Sequence, residues 1–126
     1  MALDVESGRT IWKTPTIPVP AKAVGKTSAG VQLYGPSGAG VWSSPTIDLK
    51  RNVLYVGTAN GYTNVPDFGS SDALIAFDLD TGERIWSTQL LAGDQNCGAI
   101  DMSEEELDSK CPLIKWGAND DVSGSP

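Results

Sequence analysis

Few of the side chains in this 126-residue chain are of the kinds that carry out covalent chemistry, and their spacing narrows them further. No histidine is present, which removes His-based nucleophile and base pairs and argues against a zinc centre. The two cysteines, Cys97 and Cys111, stand 14 positions apart and no Cys-x-x-Cys-His occurs, so the chain carries no covalent haem site. Asp120 and Asp121 are adjacent carboxylates just ahead of Ser123 and Gly124, the pattern of a solvated loop, and are assigned no catalytic role. These residues are not expected to catalyse a reaction alone, and the informative question is what the chain is built to hold.

Charge excludes one class of partner. With 9 basic and 16 acidic residues the net charge is -7, which opposes attraction to nucleic acid or to an anionic membrane surface. No apolar run approaches the roughly 20 residues that span a bilayer, and the N-terminus has neither the basic start nor the apolar stretch of a signal peptide. The 14 Gly and 8 Pro punctuate the chain about as often as short strands and tight turns require, which favours an all-β fold.

The elements that would do the positioning are written twice. "ALDVESGRTIW" at Ala2 to Trp12 returns as "AFDLDTGERIW" at Ala76 to Trp86, 74 positions later. Each copy reads small-x-Asp-x-x-Ser/Thr-Gly-x-x-x-Trp. Asp78 and Thr81 carry short oxygen-bearing side chains that bond the backbone of a tight turn, and Gly82 supplies positive φ. Asp4, Ser7 and Gly8 hold the same places in the first copy. In the strand before the second turn, "DALIAFD", Ala76 is small enough to admit another backbone or ring. In the strand after the second turn, alternation puts Ile85 and Trp86 on opposite faces, so that Trp86 covers a neighbouring sheet. Packing, not chemistry, is the expected role of Trp12 and Trp86.

Four segments follow from this pattern. Residues 1–12 read as the end of one four-stranded unit. Residues 13–40, rich in Pro, Gly, Lys and Ser, read as a long connection with one short strand around Val31 to Tyr34. Residues 41–91 read as a complete unit of four antiparallel strands: "VWSSPTID", "VLYVGTA", "DALIAFDLD" and "GERIWSTQL". Residues 92–126 read as a cysteine-bearing loop, with a helical turn capped by Ser103, and then the opening strand of another unit. A β-propeller closes with about four to eight such blades, so the expected fold is a propeller fragment.

The repeated motif resembles the tryptophan-docking motif of the pyrroloquinoline quinone (PQQ) type β-propellers, the quinoprotein alcohol dehydrogenases. The ordered series "GPSGAGVWSSPTID", "LYVGTANGYT" and "SDALIAFDLDTGERIWS" is similar to the polyvinyl-alcohol dehydrogenase-like branch. The resemblance implies oxidation of an alcohol substrate to a carbonyl by PQQ, with Ca²⁺ polarising the quinone, a carboxylate taking the hydroxyl proton, and electrons passing to a cytochrome. It implies Trp42, in "GAGVW", as the aromatic floor under PQQ and Asn60, in "YVGTAN", as a Ca²⁺ ligand. It also implies a periplasmic or secreted setting, in which Cys97 and Cys111 would pair.

Read without the resemblance, Trp42 fits inter-blade packing, and Asn60, which precedes a glycine, fits a turn. The family's carboxylate ligand for Ca²⁺ and further cofactor contacts fall before Ala2 in its pattern, and its adjacent cysteine pair has no counterpart here. A non-catalytic propeller scaffold of the cell envelope is therefore the alternative to a piece of the enzyme, and a truncated reading frame is a third.

Overall fold

The computed structural model describes residues 1–95. Cys97, Cys111, the helical turn at Ser103 and the Asp120–Asp121 pair lie outside the described residues. Eight strands form: β1 (Ala2–Leu3), β2 (Thr10–Trp12), β3 (Lys22–Lys26), β4 (Gln32–Gly35), β5 (Thr46–Asp48), β6 (Val53–Gly57), β7 (Ala73–Asp78) and β8 (Arg84–Gln89). They make two hairpins, β1-β2 and β3-β4, and one four-stranded antiparallel sheet in the order β5-β6-β7-β8. This is the all-β, blade-like architecture of a β-propeller fragment.

The four-stranded sheet holds the core. Val56, Ala73, Ile75 and Phe77 are buried together, with Leu54 packed against them. Burying a side chain the size of isoleucine or phenylalanine contributes about 1.5–3 kcal/mol relative to leaving it in water, so this cluster anchors the sheet. Central strand β7 is covered on both faces, since the consecutive residues Ile75 and Ala76 are both inaccessible to solvent. Ala76 pairs with Tyr55 on one side and with Trp86 on the other. Its small side chain lets the two flanking rings lean together, with centroids 5.9 Å apart.

Short turns set the register. Between β5 and β6, Asn52 takes φ +57°, its side-chain amide donates to Asp80 Oδ2 at 2.8 Å, and its carbonyl accepts from Leu79 N. Asn tolerates the left-handed region better than most non-glycine residues. The Asp48–Arg51 ion pair across the same turn is exposed and adds little.

Two segments depart from the sequence-based expectation. The connection of residues 13–40 carries a hairpin and not a single strand. Lys22–Lys26 pairs antiparallel with Gln32–Gly35, with a bulge between Ala23 and Gly25, and Gly30 at φ +80° closes the turn through Thr27. The strand expected over residues 41–48 is regular only at Thr46–Asp48. Pro45 has no N–H to give to a ladder, and the chain before it pairs elsewhere: Ala39 N donates to the Asn60 carbonyl and Ala59 N to the Gly40 carbonyl, each at 2.9 Å. The intervening residues, Trp42 among them, leave the sheet.

Candidate functional site

Two features of the structure are candidates for function: a junction between the repeated motifs at the turn that ends β7, and a small pocket at the opposite end of the sheet, just past the end of β6.

At the junction the first copy of the motif docks on the second. The turn of the second copy is built as its residues require. Asp78 Oδ1 accepts from Thr81 N and from Thr81 Oγ1, both at 2.8 Å, Gly82 N donates to the Asp78 carbonyl at 2.9 Å, and Gly82 stands at φ +72°. The Thr81 bonds hold the Asp78 carboxyl below the ordinary aspartate range, because hydrogen bonds to the ionised form favour it. On this turn lies the indole of Trp12. A Cβ at Gly82 would stand 2.4 Å from Trp12 Cδ2 and Cε3, so only glycine admits the ring. Trp12 Nε1 donates to the Leu79 carbonyl at 3.0 Å, and Thr14 Oγ1 donates to the Gly82 carbonyl at 2.6 Å.

Arg84 braces the same junction. Its guanidinium donates to the Thr16 carbonyl and to Ser70 Oγ, each at 3.0 Å, joining the connection that follows Trp12 to the loop before β7. Partial burial lowers its pKa from the usual arginine value, against the pull of Asp67.

The pocket is formed where Gly38–Trp42 runs past Ala59–Tyr62. It has a volume of about 260 Å³ and is lined by Gly40, Val41, Trp42, Ala59, Asn60 and Tyr62. Backbone bonds fix the two walls. Besides the pairs at Ala39 and Ala59, Tyr62 N donates to the Ser37 carbonyl at 2.8 Å. Gly38, at φ +107°, permits this approach, because a Cβ there would fall 2.5 Å from the Asn60 carbonyl oxygen. Trp42 is 62% exposed and Asn60 only 5%. The structure therefore brings the two sequence-named residues into one pocket, one as an accessible aromatic and one as a buried amide.

Tyr62, half exposed at the rim, was not singled out from sequence, although it follows the Asn-Gly pair. Below the pocket Thr58 is fully buried. Its hydroxyl donates to the Ser70 carbonyl at 2.6 Å and accepts from Ala73 N at 3.0 Å, which fixes the end of β6 where the pocket wall begins.

This chemistry suits a flat aromatic ligand better than an isolated metal ion. An exposed indole can stack on a planar ring system, and Gly40 in the same lining adds no side chain to the pocket. No carboxylate or cationic side chain lines the pocket, and no group of three or more His, Cys, Asp or Glu that could hold a metal occurs among the described residues. Asn60 could supply one oxygen to a cation whose other ligands come from elsewhere. Two larger grooves run over the Pro-rich connection, one of about 610 Å³ between Pro15–Ala21 and Pro36–Gly38 and one of about 520 Å³ reaching Val65 and Phe68. Their linings are mostly aliphatic and offer no comparable pairing of an exposed indole with a buried amide.

Comparison with known proteins gives a consistent answer. The family described as glucose/ethanol/alcohol dehydrogenase, beta-propeller domain, matches residues 1–96. A polyvinylalcohol dehydrogenase of Sphingopyxis sp. (strain 113P3) is 44% identical over 94 residues, covering 75% of this chain and 14% of that protein. A polyvinylalcohol dehydrogenase of Pseudomonas sp. is 42% identical over 94 residues, 75% of this chain and 15% of that protein. A quinohemoprotein alcohol dehydrogenase, ADH-IIG, of Pseudomonas putida is 29% identical over 111 residues, 74% of this chain and 16% of that protein. The chain thus spans about one seventh of the length of the curated relatives it matches. No solved structure gives a significant match.

Proposed function

Because the chain belongs to the PQQ-type alcohol dehydrogenase β-propeller family, we propose that it forms part of the cofactor wall of a PQQ-dependent enzyme that oxidises an alcohol to a carbonyl. The named relatives include polyvinylalcohol dehydrogenases, so a hydroxylated polymer or a secondary alcohol is the substrate class of choice. The observation that carries the reading is the pocket in which the exposed Trp42 ring and the buried Asn60 amide meet.

When bound, PQQ supplies the two-electron acceptor for alcohol oxidation, and Ca²⁺ supplies a Lewis acid beside it. The chain's own residues contribute binding and orientation. Trp42 offers its ring face as a floor that holds a flat cofactor without occupying the positions where its carbonyls react. Asn60, held by the backbone bonds at Ala39 and Ala59, offers one neutral oxygen to a hard cation that takes six to eight. The base that receives the substrate proton, and the carboxylate that completes the cation site, would come from parts of the propeller outside the described residues. Electron transfer to a cytochrome and a periplasmic or secreted setting complete the proposal. Among the described residues no helix is long and apolar enough to cross a membrane.

The test is made on the complete propeller. Asn60→Ala is expected to lower PQQ-dependent activity in a way that excess Ca²⁺ partly restores, while Asn60→Asp keeps an oxygen ligand and needs less added calcium. A Ca²⁺ requirement identical in wild type and both variants would remove Asn60 from the cation site. The alternative reading, a propeller that only scaffolds, would be favoured if the complete protein retained no PQQ at all.

A further inference from the structure

The residues from Phe68 to Asp72, which lead into β7, are fastened more heavily than a connecting loop requires. Three side chains of β8 donate to them: Arg84 to Ser70 Oγ at 3.0 Å, Ser87 Oγ to the Gly69 carbonyl at 2.6 Å, and Gln89 Nε2 to the Ser71 carbonyl at 3.0 Å. From the loop itself the Asp67 carboxylate accepts from Gly69 N at 3.1 Å and from Ser71 N at 2.8 Å. Ser70 and Asp72 are inaccessible to solvent. Phe68 and Asp72, neither of them glycine, stand at φ +61° and +45°. Such residues keep a left-handed backbone only where their surroundings over-determine it, and they gather at functional sites.

What this segment supports is the stretch of chain that carries Asn60. The Ser70 carbonyl accepts from Thr58 Oγ1 at 2.6 Å, and the same hydroxyl accepts from Ala73 N at 3.0 Å. Thr58 N donates to the Ala73 carbonyl at 2.9 Å, and Asp72 N donates to the Ala59 carbonyl at 3.1 Å. On its other side the same stretch is bonded to Ala39 and Gly40, the wall that leads to Trp42. Residues Thr58–Asn60 are thus clamped between two chains, and the Thr58 hydroxyl ties them to the segment that β8 holds. Thr58 is fully buried and has no place in the pocket lining, so it reaches a ligand through Asn60, two residues on.

We propose that Thr58 is a positioning residue for Asn60, and that Arg84 supports it through Ser70. This rests on the cation role given to Asn60 above. A neutral amide attracts a cation by its dipole alone, so the attraction depends on how firmly the amide is oriented. The bonds from β8 through Ser70 to Thr58 fix the backbone from which Asn60 offers its oxygen, and they thereby set the affinity for Ca²⁺.

Calorimetric titration of Ca²⁺ into the complete propeller, loaded with PQQ and stripped of metal, reads this directly. Thr58→Val keeps the shape of the side chain and removes the hydroxyl; it should weaken Ca²⁺ binding about 10-fold, the scale seen when the partner of a metal ligand is lost. Thr58→Ser restores the hydroxyl and should return the affinity to near wild type. Arg84→Ala should shift it in the same direction by less, and it carries the test if Thr58→Val does not fold. Trp12→Ala controls for lost stability, and should melt earlier with its Ca²⁺ affinity unchanged. Asn60→Ala separates the positioning role from the reading beneath it: in that background Thr58→Val should add no further loss, because it acts through Asn60. The positioning role alone is overturned if Asn60→Ala weakens Ca²⁺ binding while Thr58→Val and Arg84→Ala do not. It is overturned equally if Thr58→Ser binds no better than Thr58→Val, if Trp12→Ala loses as much affinity, or if the Thr58→Val loss persists in full without Asn60. An Asn60→Ala protein that binds Ca²⁺ like wild type would overturn the cation role and the positioning role with it.

Discussion

At Trp12 the indole N–H is bonded to the Leu79 carbonyl and the ring lies on the backbone of Gly82, whereas at Trp42 the side chain is 62% exposed beside a buried amide. The residue type is the same and the surroundings separate the two roles. An indole whose polar atom is paired and whose face is covered by peptide has its interactions satisfied within the fold, so its worth is stability. A largely exposed indole at the edge of a pocket costs the fold apolar exposure that a ligand can relieve. The difference assigns fold stability to the repeated motif and, under the proposed function, cofactor contact to the segment that leaves the sheet between Gly40 and Thr46.

Three changes at the docked junction sharpen the contrast. The largest effect is expected at Gly82. Gly82→Val both displaces the Trp12 ring and forces a β-branched residue into positive φ, and about 3 kcal/mol or more of stability should be lost. Trp12→Ala removes the ring but leaves the turn and should cost about 3 kcal/mol, the low end for a tryptophan because the side chain is only partly buried. Chemical denaturation of the complete propeller checks both, and a Gly82→Val variant as stable as wild type would mean that the ring does not lie on that turn in solution.

Thr14→Val keeps the shape of the side chain and removes only the 2.6 Å bond to the Gly82 carbonyl. It should cost about 1 kcal/mol, the usual net value of one such bond. A cycle with Trp12→Ala is expected to be non-additive, because both groups act on the same turn; strict additivity would show that they act independently.

The smallest effect is protonic. The Asp78 carboxyl is held below the ordinary aspartate value by its bonds from Thr81 N and Thr81 Oγ1, and Asp4 likewise by Ser7 Oγ and Ser7 N. Depressed folded-state values mean that these bonds stabilise the turns above the ordinary pKa of about 3.9 and that the contribution disappears as pH falls through the folded-state values. Carboxyl titration by NMR should therefore place both midpoints below that of a free aspartate, and Thr81→Val should move Asp78 upwards. An unmoved midpoint would leave the backbone N–H alone responsible. Both residues are only partly buried, so the effect on global stability is small.

The elements legible in the sequence were those with local causes. The Asp-x-x-Thr-Gly turn is bonded within five residues, and the run from Val53 to Gln89 alternates strands with turn residues, so the central sheet could be read directly. The partner of each tryptophan could not, because the contact from Trp12 to Gly82 crosses 70 positions and nothing local distinguishes a glycine that needs positive φ from one that also receives a ring. The β3-β4 hairpin was missed in half, since "KAVGK" is short, interrupted by glycine and largely exposed, with little hydrophobic pattern to mark it. Trp42 and Asn60 were named through family resemblance. Their meeting in one pocket depends on Gly38 and on backbone bonds between Ser37–Gly40 and Ala59–Tyr62, a register that side-chain identity does not encode. The bracing role of Arg84 was invisible for the same reason, as an arginine after a turn glycine reads only as a solvated strand residue.

The central claim, that Trp42 serves a ligand while Trp12 serves the fold, is tested most directly by titrating PQQ into wild type, Trp42→Ala and Trp12→Ala forms of the complete propeller while recording the melting temperature of each without cofactor. Loss of one stacking contact should weaken PQQ binding about 2- to 10-fold in Trp42→Ala with the cofactor-free melting temperature unchanged, and Trp12→Ala should show the reverse, a lowered melting temperature with near-normal affinity in the folded fraction. A Trp42→Ala protein that binds PQQ as tightly as wild type, or that melts as early as Trp12→Ala, would contradict the account.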